Sequence, residues 1–283
     1  MPNPFKGLLP DTSINGPTVA GSQPLRPFPA FTGVTVTDTN VGKIWYNSLQ
    51  VAVQKRYAHG LTFSANYTFS KNIQATSYVN PQDATPTRVL TAFDRPQRLA
   101  FSPSYELPFG PGRRFLNSTN GIARRFVGGW QVLVNTVFLS GAPMGIPSNV
   151  WVLGDPHLDN PTWDRLFKTG YIDTNGAVRN VLPGEQPVFE IRTPNSLQTT
   201  PARWGNLRDP WATTYDASMI KNTRIREGMN CQFRLEAFNA LNTPVFASDP
   251  NLTPTSTNFG KIIRDNGQSN APRSLQFAFR FMF

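Results

Sequence analysis

Ser274–Phe283 reads SLQFAFRFMF, and the alternation in it decides the fold. Leu275, Phe277, Phe279, Phe281 and Phe283 fall on one side of an extended chain, and Ser274, Gln276, Ala278, Arg280 and Met282 on the other. Successive side chains of a strand point to opposite faces, whereas a helix would repeat its apolar residues every third or fourth position. The segment is therefore a strand with a wall of large apolar groups on one face and a wet face behind it. A membrane β-barrel has that pattern, and so does the inner face of a two-sheet sandwich.

Working outward, the same period recurs in about seven segments. CQFRLEAF (231–238) alternates Phe233, Leu235 and Ala237 with Gln232, Arg234 and Glu236. LTFSANYTFS (61–70) sets Leu61, Phe63, Ala65, Tyr67 and Phe69 against Thr62, Ser64, Asn66, Thr68 and Ser70. YNSLQVAVQKRY (46–57) alternates Leu49, Val51 and Val53 with Gln50, Ala52, Gln54 and Arg56. Ala58-His59-Gly60 between the last two reads as a hairpin turn. Further strands are expected near 97–107, 129–141, 213–223 and 231–241. Arg and Glu on the inward face suit a polar lumen better than a dry sandwich core. Arg56, Arg234, Glu236 and Arg280 are the expected lumen-lining charges.

Loop lengths test this independently, because outer-membrane barrels keep short turns on the periplasmic side and long loops outside. The expected connections alternate: short at 58–60, long at 75–96, medium at 108–128, very long at 142–212, short at 223–230 and long at 243–272. Counted back from a periplasmic C-terminus, every long connection falls outside. Aromatic residues collect near strand ends, as interfacial girdles do. Trp45, Phe69, Phe138, Trp211 and Phe238 are expected at the outer rim, and Tyr57, Tyr105, Trp130 and Phe233 at the periplasmic rim.

Composition agrees. The 283 residues include 26 Pro, 21 Gly and 21 Phe, with 16% charged residues and two His, a profile of many short strands punctuated by turns. Mean hydropathy is −0.33 and no run of about 18 apolar residues exists, which excludes a membrane helix but not a barrel. The lone Cys231 allows no internal disulfide and no thiolate metal cluster. MPNPFKGLLPDTS does not read as a signal peptide, so in an exported protein Met1 is not expected to be the native start.

The net charge of +10 is a nucleic-acid signal only where it forms a patch. Here Arg113, Arg114, Arg124 and Arg125 share one expected periplasmic connection, and Lys221, Arg224 and Arg226 lie in or beside another, so no nucleic-acid partner is expected. Asp155-x-His157-x-Asp159 lies in the longest loop and reads as solvated polarity, with no metal expected. Gly110-Pro111-Gly112 is a turn, since it lacks the strand-to-helix setting of a phosphate loop. Trp151, Trp163 and Trp204 are the aromatic residues of that loop able to meet a ligand, although packing onto neighbouring loops is the plainer reading. No nucleophile–base constellation stands out, so no catalytic residue, enzyme activity or cofactor is expected.

Several segments in order resemble one family. WYNSLQVAVQKRYAHGLTFSANYTFSK (45–71), FDRPQRLAFSPSYELPFGPGRRF (93–115) and GGWQVLVNTVFLSGAPMGIP (128–147) resemble successive barrel strands of Oar-like TonB-dependent receptors, the type with a carboxypeptidase-regulatory-like domain. NLRDPWATTYDASMIKNTRI (206–225), FRLEAFNALNTPVF (233–246) and PRSLQFAFRFMF (272–283) complete the set, and residues 3–34 look like the extracellular loop before it. The resemblance implies an all-β fold: a partial transmembrane antiparallel β-barrel, about seven C-terminal strands of a larger barrel, with long extracellular loops. It implies an extracellular segment at 1–43 and a barrel portion at 44–283. It implies an outer-membrane location and import of a small molecule, oligosaccharide or peptide. Membrane lipid, the TonB system and the outer-membrane assembly machinery would be partners. Phe279, Phe281 and Phe283 resemble the terminal signal which that machinery reads. Such receptors are similar to barrels of about 22 strands with a plugged lumen, so this chain is expected to be a portion of one. A secreted β-sandwich binding module and a TonB-independent surface adhesin or structural barrel stay open at this point.

Overall fold

A computed structural model describes residues 1–35, 40–80, 82–117, 121–193, 196–246, 250–262 and 268–283; within 121–127, the side chains of Gly121, Ile122 and Arg124 lie outside that description. The chain divides into two compact units, Met1–Gly42 and Lys43–Phe283. The first is built of successive turns. Buried Asn3 organises it: its amide donates to the carbonyls of Ile14 and Gly16, and its side-chain oxygen accepts the Phe5 N–H.

The second unit is dominated by one antiparallel sheet. Its long strands are β1 (Lys43–Ala58), β2 (Leu61–Ala75), β4 (Gln97–Glu106), β5 (Trp130–Leu139), β12 (Ala212–Arg226), β13 (Met229–Phe238) and β14 (Ser274–Met282), paired in chain order. The short β3 (Val89–Leu90) adds onto the end of β2. All seven expected strands are present. They run from nine to 16 residues, and a tilted strand needs about 9–11 to cross a bilayer's hydrocarbon. Among the described residues no helix is long and apolar enough to cross. The one helix among the described residues, α1 (Gly121–Val127), sits in the β4–β5 connection.

The register carries the alternation across the whole sheet. Leu49 stands opposite Phe69, Tyr67 opposite Leu99, and Leu99 opposite Phe138. Val132 then faces Met219, Met219 faces Leu235, and Leu235 faces Phe277. The other face carries most of the polar residues: Asn135 meets Asp216, Ser218 meets Glu236, and Glu236 meets Gln276, with Leu133, Val137 and Ile220 among them. A one-residue slip anywhere would send an apolar row to the polar side, so the matched pattern holds the register. Diagonal aromatic contacts Phe63–Phe101 (5.9 Å) and Phe233–Phe277 (6.3 Å) reinforce it on the apolar face. Thr136 falls on that face too, but its hydroxyl donates to the Thr214 carbonyl at 2.8 Å and is not left unpaired.

No second large sheet packs on the apolar face among the described residues. Phe277 and Phe279 stay 65% and 69% exposed, so the inward-packed wall that a sandwich requires is not there. In water, an apolar surface of this extent is a liability; hydrocarbon covers it without cost. Within the described residues the sheet is not closed: β1 and β14 are its two edges.

The connections keep the expected parity. At one end lie the turn His59-Gly60, the segment 107–129, and the turn Glu227-Gly228. His59 and Gly60 both have positive φ (54° and 83°), the type I′ geometry that matches strand twist, and a Cβ at Gly60 would press on the Glu106 carbonyl. At the other end lie residues 76–96, 140–211 and 239–273. Two aromatic residues of the expected girdles turn the other way. A bulge between Lys55 and Ala58 lets Tyr57 donate to Glu106, and Phe238 stands opposite Ser274 on the polar side.

The face assignment is testable by charge insertion. Leu235→Arg, on the apolar face of β13, should cost about 2–4 kcal/mol and remove the heat-modifiable folded band on a denaturing gel. Ser218→Arg, on the polar face one strand away, should leave that band in place. Equal loss in both would mean that the faces are assigned wrongly.

Candidate functional site

The long connections fold into a structure of their own. Residues 140–211 contain β6 (Pro143–Gly145), β7 (Val150–Val152), β8 (Tyr171–Ile172), β9 (Val178–Arg179), β10 (Phe189–Ile191) and β11 (Arg203–Arg208). They form a four-stranded sheet, β7-β10-β8-β9, and a two-stranded one, β11-β6. The sequence of this stretch shows no strand signal, because strands of two or three residues are too short to show a period. The buried core of the second unit lies here rather than in the large sheet. Phe167 is fully buried among Met144, Val150, Phe189, Leu207 and Phe259. Phe167, Phe189 and Phe259 meet edge to face, with centroids 5.3–5.8 Å apart. Phe259 comes from residues 239–273, so the core fastens two long connections together.

A buried ion pair ties in the third. Asp94, 1% exposed, accepts from Arg208 Nη2 at 2.7 Å with one carboxylate oxygen and from the Asn72 N–H with the other. Arg208 also donates to the backbone carbonyls of Asp94, Gly141 and Gly205. One guanidinium therefore holds residues 76–96, the exit of β5 and β11 in register. Gly141 is required at this junction, since a Cβ there would run into the Asp209 carbonyl. Asn80, bonded to the backbone of Gln198 in both directions, adds a second link. Arg165–Glu185 (2.5 Å) and Arg192–Glu190 (2.8 Å) brace the surface.

Between these elements opens a cleft of about 710 Å3, lined among others by Asp155, His157, Trp163, Phe167, Arg208 and Trp211. Ligand sites commonly fall between about 300 and 1,000 Å3, with an apolar lining and a few convergent polar groups. A second hollow of about 360 Å3 shares the Trp163, Pro210 and Trp211 wall and reaches Phe246 and Arg95. Trp163 is held edge-on by Phe246 at 4.9 Å, and Trp211 is 54% exposed. The arrangement presents two indole rings, one fixed and one open, beside an imidazole, a carboxylate and a guanidinium. Such a site can stack a flat or ring-bearing ligand and hydrogen-bond its edge.

The expected loop tryptophans do not converge. Only Trp163 lines the cleft. The face of Trp151 is covered by the Arg192 guanidinium at 4.1 Å, and Trp204 packs against the buried core. Trp211, read from the sequence as a rim aromatic, joins Trp163 instead; the Pro210-Trp211 step just before β12 is the signal that places it at the mouth. Near the Asp155–Asp159 cluster, His157 Nε2 lies 4.0 Å from Asp159 Oδ1, and among the described residues no three His, Cys, Asp or Glu side chains converge. Arg234 contacts Glu236 and Gln232 at 3.3 Å on the polar face of the large sheet, and Arg280 stands opposite Gln232. Arg56 lies in the β1 bulge. Phe279 and Phe281 occupy the apolar row of β14, and Phe283 follows the strand's last residue.

One carboxyl in the loop sheets carries a shifted pKa. The Ala177 N–H, then Arg179 at 3.1 Å, hold Asp173 below the usual carboxylate range. A depressed folded value means that the support Asp173 gives the β8–β9 turn is present above the unfolded pKa of about 3.9. It is lost as pH falls through the lower, folded value. Amide exchange at Ala177, corrected for intrinsic rate, should stay slow at neutral pH and quicken only under acid; Asp173→Asn should abolish the pH dependence.

The Asp94–Arg208 pair gives a second test. Asp94→Ala leaves a largely buried guanidinium without its counter-charge and should cost the loop assembly about 3–5 kcal/mol. Tryptic cleavage at Lys168 and Arg179 should accelerate accordingly. Asp94→Leu combined with Arg208→Met should recover most of the resistance, and no recovery would mean the pair matters for more than its charge balance.

A family model described as an outer membrane beta barrel domain matches residues 2–276, almost the whole chain. No significant match was found among curated proteins or among solved structures.

Proposed function

Because the chain belongs to the outer membrane beta barrel domain family and is thereby an outer-membrane protein, we propose that its strands are the C-terminal barrel portion of a TonB-dependent receptor that binds and imports a scarce nutrient. One observation carries the reading: the three long connections pack into a single cap, with its own core and an open cleft, over one end of the membrane strands. A structural barrel needs no such cap, whereas a receptor must hold its ligand above the pore. Long loops belong on the cell surface in this class, so the Trp163–Trp211 cleft faces outward and captures the ligand. Arg56, Arg234, Glu236 and Arg280 line the path below it. The open edges at β1 and β14 support membership of a larger barrel, because unpaired backbone groups in hydrocarbon cost several kcal/mol each. Phe279, Phe281 and Phe283 serve as the assembly signal.

Immunoblotting of native cell envelopes with serum against residues 268–283 tests the barrel assignment. The expected band is detergent-extracted and several times larger than 31.5 kDa. A detergent-dependent band at that mass itself would overturn the receptor reading and favour a small structural barrel or adhesin. Ligand capture is tested by indole fluorescence. A ferric siderophore, a maltooligosaccharide and a tryptic peptide mixture are titrated in turn against the extracted protein. One of them should change the emission, and Trp211→Ala should abolish that change while altering stability by no more than about 0.5 kcal/mol.

A further inference from the structure

At the short-turn end, β12 breaks the rule that its apolar face carries no charge. Met219 and Lys221 are successive residues of that face, opposite Val132 and Trp130. Lys221 is 8% exposed. Its ammonium donates to the Gly128 and Asn222 carbonyls and lies 5.7 Å from the Trp130 ring. Among the described residues no carboxylate pairs with it. Three further cations join it. The bulge between Arg224 and Arg226 puts Arg226 opposite Met229, on the side of Cys231 and Phe233, and its Nε contacts the Met229 sulfur. Arg125 comes from α1. Arg125, Lys221, Arg224 and Arg226 together line a hollow of about 610 Å3, and among the described residues Glu227 is its one acidic lining residue.

An apolar groove lies beside this hollow, between the 107–129 connection and the ends of β5 and β12. Leu107, Phe109, Leu116, Val127, Trp130 and Met219 enclose about 360 Å3 there. The order along β12 is the order of a lipid: Met219 beside hydrocarbon, Lys221 and Trp130 at headgroup depth, and the arginines beyond. Phe126, 70% exposed on α1, adds an apolar group where an interfacial helix would bury one.

We infer that this end of the barrel holds an anionic phospholipid of the periplasmic leaflet, its phosphate in the Arg125–Lys221–Arg226 hollow and an acyl chain along the Phe109–Met219 groove. The inference rests on the membrane placement of the strands and on the short turns facing the periplasm; it does not depend on what the barrel transports. The charge excess selects an anion, and the adjoining groove selects one with a hydrocarbon tail. Free phosphate would leave that groove without an occupant.

The protein extracted from outer membranes and reconstituted in phosphatidylcholine vesicles provides the test. Spin-labelled phosphatidylglycerol and spin-labelled phosphatidylcholine are added as separate traces, and the motionally restricted fraction of each is read by electron paramagnetic resonance. Phosphatidylglycerol should be restricted in preference, and Arg125→Gln with Arg226→Gln should lower that preference by about fivefold per cation removed. Both arginines are exposed and outside the paired ladder of β5 and β12, so heat-modifiable migration should be retained; Arg125→Gln alone serves if the double variant does not fold. Equal restriction of the two lipids, or a preference that survives the substitutions, overturns the inference. A preference erased by inorganic phosphate at constant ionic strength also overturns it, because the occupant is then the free anion.

Discussion

Hydrocarbon offers a peptide group no hydrogen-bonding partner, and the arrangement of Lys43–Phe283 follows from that constraint. Every strand interior must find its N–H and C=O partners on a neighbouring strand. Antiparallel neighbours joined in chain order provide them with the least connecting chain, and this is the order observed from β1 to β14. Once the ladder is obligatory, side chains decide only which face meets lipid. The cross-strand series Leu49–Phe69 and Met219–Leu235–Phe277 shows that choice carried from strand to strand. Exceptions are handled locally, as where Thr136 gives its hydroxyl to a backbone carbonyl.

The same constraint moves the buried core. A sheet that shows its apolar face to lipid has nothing to pack that face against, so Phe167, Met144, Val150 and Phe189 collect instead in the long connections. Those connections stand in water and fold as a soluble domain does, with an apolar interior and braced ion pairs. The junction between the two regimes is Asp94–Arg208, where one carboxylate accepts from the end of β2 and from β11. A charge pair is stable there because both ends are fully hydrogen-bonded; two charges with incomplete partners would be a net cost. The cleft beside it inherits its rigidity from that junction on one wall and from the Trp163–Phe246 contact on the other.

Position in the sequence spoke clearly where the period was long and said little where it was short. The nine- to 16-residue strands repeat their alternation often enough to be read, as Leu275 to Phe281 does. The β6–β11 segments hold too few residues for any period, and their pairing β7-β10-β8-β9 is not in chain order. Trp151, Trp163 and Trp204 looked equivalent as loop aromatics, yet Arg192 covers one, a cavity borders the second and the core takes the third. Tyr57 illustrates the limit at strand ends: the bulge between Lys55 and Ala58 takes it off the face that a simple count assigns.

What the sequence by itself determined is the membrane sheet: strand positions, the face of each residue away from the bulges and the alternation of short and long connections. Each of these follows from local periodicity and from the chemistry of neighbouring residues, which a linear string contains. Only the tertiary structure decided which distant residues meet. Asp94 and Arg208 lie 114 positions apart, and Trp163 joins Trp211 across the fold of residues 140–211. Arg226 joins Lys221 and Arg125 at one hollow because a bulge rotates the end of β12. Contacts of that separation depend on how the loops close in space, and closure leaves no periodic trace along the chain.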